Sequence, residues 1–530
     1  MRTKTLTILL TVCLVGSIAL TQRVNAASST RVTWKITTLR SGQTIALSAV
    51  ASTNSPGKKT WSVKGSCKLT SSKLTMSTGR SCTLTLRIAK SGKFGPVTSS
   101  RVITLLNKTI TETTTVPMAT TTSTTTVPTT PQWPVRQGNF LEGRAIATSA
   151  NGSSIVLGRQ GTYLSVMKLS SLGNQEWVQT VAGGIVLRGT AIATNSDGSA
   201  VITGEFGGFY PTVVFGSVTL HSTINSVDIF VAKISSTGTW LWATKVGGEG
   251  PETAGQLSLF EDGSALVTGA FQESVTFNST TLTTSGRSDA FVAKISSTGT
   301  WLWATKAGGV TDDVMTAQAA LSDGSAFVGG YHNSSTISFG TISLNGSRWF
   351  LAKLNSLGQW SWAMNIGAES DISSIASAPE DAVLIAGHFG STAAFGSSTL
   401  TSNGIADIYV AKISSSGTWL WVAQAGGGGM DYCFSISRLS DGSAILTGQF
   451  ERSATFGSTR ITELGYADVF VAKISVTGSW LWASSFGSST IDRGYGVATF
   501  SDGSAVMTGT YMASAGFIAK VSADGNILGM

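Results

Sequence analysis

From about residue 140 onward, apolar and polar positions alternate in short runs, and the alternation itself repeats. Residues 228–248 read DIFVAKISSTGTWLWATKVGG and residues 289–309 read DAFVAKISSTGTWLWATKAGG, with further copies starting at Arg348, Asp407 and Asp468 and degenerate ones around Lys168 and Lys520. The recurrent lysines stand at 168, 233, 294, 353, 412, 473 and 520, so the chain carries seven units. Upstream of each lies a pair of β-prone runs around a tight turn, as in QLSLFEDGSALVTGAF (256–271). That turn recurs as Asn151-Gly152, Asp197-Gly198, Asp262-Gly263, Asp323-Gly324, Asp441-Gly442 and Asp502-Gly503; unit five departs from it, with Asp381 followed by Ala382. Asp-Gly between apolar runs predicts a hairpin, because both residues tolerate positive φ. Four short strands per unit, repeated seven times, predict an all-β fold: a seven-bladed β-propeller over 132–530.

Units two to six insert a further run (VVFGSVTL, VTFNSTTL, ISFGTISL, AAFGSSTL, ATFGSTRI), read as a small extra hairpin on one rim, which units one and seven lack. The last unit stops at GNILGM (525–530), short of a full outer strand. QWPVRQGN (132–139) resembles LWATKVGG and is expected to complete or flank the last blade, closing the ring.

Before the repeats the pattern changes three times. Residues 1–26 have a basic start (Arg2, Lys4), an apolar run from Leu6 to Leu20 and small residues before Ala26, which predicts a secretory signal peptide. Residues 27–107 hold short alternating runs (RVTWKITT, TIALSAVAS, KTWSVKG, SCTLTLRIAK, SSRVITLL) separated by turn residues, the pattern of a small antiparallel β-sandwich. Cys67 and Cys82 stand at the outer ends of two runs joined by a hairpin, and in an exported chain a disulfide between them is expected. It would close a loop of about 15 residues, worth about 3 kcal/mol in the chain-entropy model. Residues 108–131 are Thr- and Pro-rich without apolar periodicity, an extended linker.

Charge divides along the same boundaries. The formal net charge of +8 hides a segment, 27–134, with 14 Lys or Arg against the single acid Glu112. On an exported chain this points to anionic envelope polymers such as cell-wall polysaccharide, or to a basic but inert solvated surface; nucleic acid fits poorly. No later segment is apolar enough for a transmembrane helix. The expectation is an extracellular or cell-surface monomer, partnered by anionic polysaccharide or a surface protein.

Two resemblances sharpen this. The order TIALSAVAS, TWSVKGSC, SKLTMSTGRSCTLTLRIAKSGKFGPV, SSRVITL resembles bacterial immunoglobulin-like domains, which implies an immunoglobulin-like sandwich acting as spacer or adhesive module. The pattern DGSAxxTGxF, FGxxxL, DxFVAKISxxGxWLWA, GG resembles secreted bacterial β-propeller repeats of the SBBP type, a family defined by repeats rather than by activity; it implies extracellular binding or surface presentation.

Candidate chemistry is sparse. The pairs Trp240/Trp242, Trp301/Trp303, Trp360/Trp362, Trp419/Trp421 and Trp480/Trp482 put two rings on one side of a strand, as shelves for sugar rings or as packing between blades. The recurrent Lys and the Asp five residues before it (Asp228, Asp289, Asp407, Asp468) suggest a repeated ion pair or a hydrogen bond to a loop, with Arg348 replacing the Asp in unit four. Ten residues before the turn stands another acidic row: Glu252, Asp313, Asp371, Asp431 and Asp492, with Leu141 and Leu187 in units one and two. If the first strand lines the channel, these acids form a partial ring at one mouth. They are candidates for holding Ca²⁺ or, alternatively, caps for local amides. His221, His332 and His388 are scattered, Cys433 stands alone in the repeats, and no HExxH, nucleophile elbow or phosphate-binding loop occurs. We therefore expect no catalytic residues and no required cofactor, with an enzyme acting on polysaccharide or a small molecule at the channel mouth as the alternative.

Overall fold

The computed structural model describes strands between residues 20 and 106, and the stretch 142–528 apart from 184–185, 210, 347, 368 and 513–514. The chain divides into two compact units, 1–125 and 126–530. Every regular element among the described residues is a β-strand. No helix among them is long and apolar enough to cross a membrane.

In the first unit, Lys59–Gly65, Ser81–Ile88 and Val97–Leu106 pair antiparallel, with Leu39–Arg40 joining Val97–Leu106 in parallel. Cys67–Leu69, Lys73–Met76 and Thr44–Ala46 make a second sheet. Leu20–Gln22, Val32–Trp34 and Ala51–Thr53 make a third. The Cys67 and Cys82 side chains, and with them the expected disulfide, lie outside the described residues. So do linker 108–131, the ring-closing candidate 132–139 and residues 1–19.

The second unit is a seven-bladed β-propeller. Blade three shows the rule: Glu252–Leu259 pairs with Ala265–Phe271, which pairs with Asp289–Ile295, which pairs with Trp301–Ala307, all antiparallel. The first strands of successive blades touch one another around the ring, and Glu142–Thr148 of blade one meets Arg493–Thr499 of blade seven. Closure is made there. The Thr148 hydroxyl donates to the Thr499 carbonyl at 2.7 Å, and Ile146, Val156, Met167 and Leu169 pack on Ala498, Phe500, Val506 and Ile518. Blade seven ends in a two-residue outer strand, Ile527–Leu528. Hairpins such as Ser274–Phe277 with Thr280–Thr283 stand between the second and third strands of blades two to six.

The repeated residues seal blades to one another. Lys168 and Trp177 are cross-strand neighbours, and both donate to the Ser236 carbonyl in the next blade's turn, each at 3.0 Å. Lys233 with Trp242 on Ser297, and Lys353 with Trp362 on Ser415, repeat the latch. The carbonyl's turn carries a left-handed glycine against the indole: a Cβ on Gly299 (φ +86°) would come within 2.9 Å of Trp242. The first Trp of each pair holds the rim hairpin instead. Phe277 lies edge-on to Trp301 at 5.1 Å and Phe456 to Trp480 at 5.0 Å, a contact worth about 0.5–1.5 kcal/mol beyond burial. Both indole rows are thus structural.

Two details sharpen the expectation. In the Asp-Gly turns only the glycine takes positive φ, for example Gly198 at +79° and Gly442 at +86°. The Asp stays right-handed because its carboxylate accepts from the amide and hydroxyl of the Ser two residues on, as Asp197 does from Ser199. Unit five, which lacks the glycine, is the one with two left-handed residues, Glu380 and Asp381. The Asp before the recurrent Lys makes the expected ion pair or loop hydrogen bond, with partners other than that Lys: Asp289 and Asp407 accept from the Ser285 and Asn403 amides of the preceding loops. Asp228 takes Lys245 at 2.6 Å, Asp289 takes Lys306 at 2.6 Å and Asp407 takes Gln424 at 2.6 Å, since each of these side chains comes from the adjoining fourth strand.

Candidate functional site

The acidic row sits where the first strands begin, but the structure turns it into the seams between blades. Glu252, Asp313, Asp431 and Asp492 are each 1% exposed or less. A short parallel bridge sets each of the last three beside the preceding blade's third-strand Asp: Ser288 with Asp312, Ala406 with Met430, Ala467 with Ile491. The neighbours are therefore Asp289 and Asp313, Asp407 and Asp431, Asp468 and Asp492, with Asp228 and Glu252 at the corresponding place in the seam before. Backbone amides hold them. Gly309 donates to Asp313 at 2.6 Å, Gly427 to Asp431 at 2.7 Å, and Ser488 and Met512 to Asp492 at 2.5 and 2.6 Å.

Burial of paired carboxyls raises their proton affinity. Glu252 is pushed up to about 8, chiefly by burial and then by the Asp228 carboxylate. Burial likewise lifts Asp313 and Asp431 to about 7 and Asp468 to about 6. Both Glu252 oxygens, and one oxygen each of Asp228, Asp289, Asp313 and Asp468, lack a hydrogen-bond partner. Among the described residues no three His, Cys, Asp or Glu side chains group as metal ligands do. These acids do not converge on the channel.

Asp371 differs. Its carboxylate accepts from the His388 amide at 2.6 Å and the Ser373 hydroxyl at 2.7 Å, and His388 Nδ1 lies 3.0 Å from the same Oδ1. The buried Tyr409 hydroxyl donates to the Asp371 carbonyl. His388 then leads into a chain of rings along the inner edge of the propeller. It meets Tyr432 edge-on at 4.3 Å, Tyr432 is 6.3 Å from Phe434, Phe434 is 5.9 Å from Tyr495, and the Arg144 guanidinium stands over Tyr495 at 5.3 Å. This crescent crosses blades five, six, seven and one, and all five side chains are partly or fully exposed.

Apart from His388, which stands in the second strand of blade five, the crescent comes from the two positions one and three residues beyond the acidic row. Blades six, seven, one and two place large side chains there: Tyr432 and Phe434, Arg493 and Tyr495, Glu142 and Arg144, Arg188. Blades three to five place small or neutral ones: Thr253 and Gly255, Val314 and Thr316, Ile372 and Ser374. Arg144, Phe434 and Tyr495 each sit at a β-bulge in the first strand, a device that re-aims a side chain out of the regular ladder. Deeper between blades three and six, Gln256, Ser258, Gln318, Ser374, Ser377 and Arg438 help line a cavity of about 360 Å³.

Sequence reasoning pointed to the places where the copies disagree, among them the bare first and last units, but did not name these side chains. The signal was present as disagreement among the copies: an aligned column reading Arg, Thr, Gly, Thr, Ser, Phe, Tyr cannot be a scaffold position. His332 is buried with Nδ1 on the Ser334 carbonyl, and Cys433 is buried with its thiol pushed up, so neither is presented to a ligand. His221 is on a rim hairpin beside Thr212.

No known protein family matches the sequence, and no curated protein matches it. Among solved structures, a protein of unknown function from Bacteroides caccae is similar at 11% identity and TM-score 0.36, covering 63% of this chain and 93% of that one. A puromycin hydrolase is similar at 8% identity and TM-score 0.42, over 73% of this chain and 53% of that one. An apocarotenoid oxygenase from Synechocystis is similar at 10% identity and TM-score 0.33, over 76% and 84%. Likenesses at this level carry no functional argument.

Proposed function

We propose that the propeller is a non-enzymatic binding module that takes its ligand or partner at the crescent His388, Tyr432, Phe434, Tyr495 and Arg144. The observation that carries this is the break in sevenfold sameness: partly exposed aromatic and cationic side chains gather on one arc of the mouth, while the opposite arc is small and neutral. Tyr and Arg are the side chains that recognition surfaces favour, being rigid, amphipathic and multiply bonding. In the loops between the second and third strands, Phe209, Ile224, Ile405, Leu464, Tyr466 and Met512 are more than half exposed. Around this module we read an exported or cell-surface protein. The basic amino-terminal unit, immunoglobulin-like in its pattern, contacts anionic envelope polymers, and the propeller repeats are of the secreted bacterial kind.

The test is binding of the full-length protein to cell envelopes and glycan arrays, compared with Phe434→Ala and Tyr495→Ala. Loss of a partner on these substitutions, with an unchanged melting temperature, supports the reading; identical binding profiles refute it. A second reading rests on His388, whose Nδ1 lies 3.0 Å from Asp371 Oδ1 without completing a hydrogen bond to it; an imidazole so placed can serve as a general base once a substrate is within hydrogen-bond reach. It requires turnover of a polysaccharide or small molecule that His388→Gln abolishes without weakening binding.

A further inference from the structure

The direction in which charge is turned at the mouth narrows the ligand. Every member of the acidic row faces inward or is held by local donors: Glu252, Asp313, Asp431 and Asp492 are buried, and Asp371 is bonded to His388 and Ser373. Glu205 is 2% exposed and spends one oxygen on the Ala254 amide at 3.0 Å. The guanidiniums, by contrast, face outward. The Arg188 side chain is 61% exposed and braced by Glu205 at 2.6 Å. The Arg144 side chain is 47% exposed, braced by Glu142 at 2.7 Å and stacked on Tyr495. Arg493 is braced through its Nε by a neutral acceptor, Gln449 Oε1, at 2.7 Å, and no ion pair to it occurs among the described residues. Three cations are thus held by side-chain acceptors on three consecutive blades, and of these Arg493 has only its Nε engaged.

A fixed guanidinium matches a carboxylate by two parallel hydrogen bonds, and preorganisation lowers the entropy lost on binding. Beside it, Tyr495, Phe434 and Tyr432 form a row of ring faces and edges that suits a flat ring with an apolar side. We propose that the crescent binds a carboxylate-bearing sugar ring of an acidic polysaccharide, with Arg493 and Arg144 holding the carboxylate and Tyr495 and Phe434 the ring. This rests on reading the crescent as a binding face. An acidic peptide fits the arginines but makes less of a continuous aromatic row.

The experiment is calorimetric titration of the full-length protein with a galacturonic acid hexamer, its methyl ester, a neutral glucan hexamer and a hexaglutamate peptide. The uronic hexamer should bind at least about tenfold more tightly than its ester. Arg493→Gln should lose about tenfold of that affinity while changing ester binding less than about twofold, and Arg493→Lys should not restore it, because an ammonium lacks the fork. Tyr495→Ala should weaken both sugars. Equal affinity for acid and ester, sensitive to Tyr495→Ala but not to Arg493→Gln, overturns the anionic ligand and leaves the binding face standing. Binding of hexaglutamate alone overturns the sugar. Binding of the uronic hexamer indifferent to all three variants assigns it to the basic amino-terminal unit and overturns both readings, and no binding of any probe overturns this inference.

Discussion

Replacing Glu252 by Gln tests whether the seam acids are held as neutral carboxyls. Glu252 is 1% exposed, adjoins the Asp228 carboxylate, and has no hydrogen-bond partner on either oxygen. The Gly248 amide, pointed at it without completing a hydrogen bond, and the Lys245 ammonium pull its proton affinity down, and burial outweighs both. A carboxyl moved from 4.5 to about 8, at about 1.4 kcal/mol per tenfold change in proton affinity, carries at most about 5 kcal/mol. Relaxation of the seam and water entry on ionisation reduce this to roughly 2–4 kcal/mol. The sign follows from proton binding. Between the unfolded and folded values the folded protein holds the proton and the unfolded chain does not, so stability present below about 4.5 is lost as pH rises toward about 8. Gln is an isostere of the protonated acid and does not titrate. Urea unfolding midpoints from pH 5 to 9 should therefore show wild type and Glu252→Gln together at pH 5 and the variant ahead by about 2–4 kcal/mol above pH 8. Asp313, Asp431 and Asp468 keep part of the slope in both proteins, so the difference between the curves is the readout. Parallel curves across the range would refute the neutral-carboxyl argument.

Three further outcomes follow from the scaffold. Gly299→Ala puts a Cβ 2.9 Å from the Trp242 indole at a φ of +86°. It should cost about 1–3 kcal/mol by thermal unfolding, whereas alanine at Gly161, also left-handed but with no atom within 4 Å of its Cβ position, should cost only the backbone part. Trp362→Phe removes the 3.2 Å donation to Ser415 while keeping an aromatic ring, and about 1 kcal/mol of stability should go with it; adding Lys353→Met should lose less than the sum of the two single changes, because both donors share that carbonyl. The Asp-Gly carboxylates answer to acid. Hydrogen bonds from the following Ser hold Asp197, Asp262 and their equivalents below the usual carboxylate range, so this stability is lost as pH falls through that lowered range, and the melting temperature should fall with it.

The fold was legible because its determinants are local and repeated. Asp-Gly at five of the seven first hairpins, the Ser-x-Gly turn and the two-residue spacing of the indoles in five units report strand ends and strand faces directly, and the repetition multiplies the signal. The partners were not legible. An ion pair or loop hydrogen bond was expected of Asp228, but which cation it takes was not readable, because a strand pairs with its neighbour and Lys245 comes from the adjoining strand. The acidic row was placed correctly at the entry to the first strands, yet its direction depended on the parallel bridge between blades, which has no local sequence code. The crescent lay in the columns that vary, and only ring closure makes blades six, seven, one and two neighbours.

That closure also explains why the site falls where it does. Blades two to six each carry a rim hairpin anchored by Phe on Trp, such as Phe215 on Trp240 and Phe339 on Trp360. Blade one turns directly from Gln160 to Tyr163, and blade seven passes from Tyr511 to Ala515 with no room for a hairpin. At opposite ends of the sequence these are two truncated repeats; in the ring they are adjacent and leave one sector of the rim without its palisade. Arg144, Arg493 and Tyr495 all belong to that sector. Grafting a hairpin of the VTFNSTTL type between Gln160 and Tyr163, together with Gln175→Trp to supply the anchoring indole that blade one lacks, should therefore leave the fold intact, as it is in the five blades that have both, while reducing binding at the crescent. An unimpaired affinity in a correctly folded graft would mean that the open sector plays no part in access.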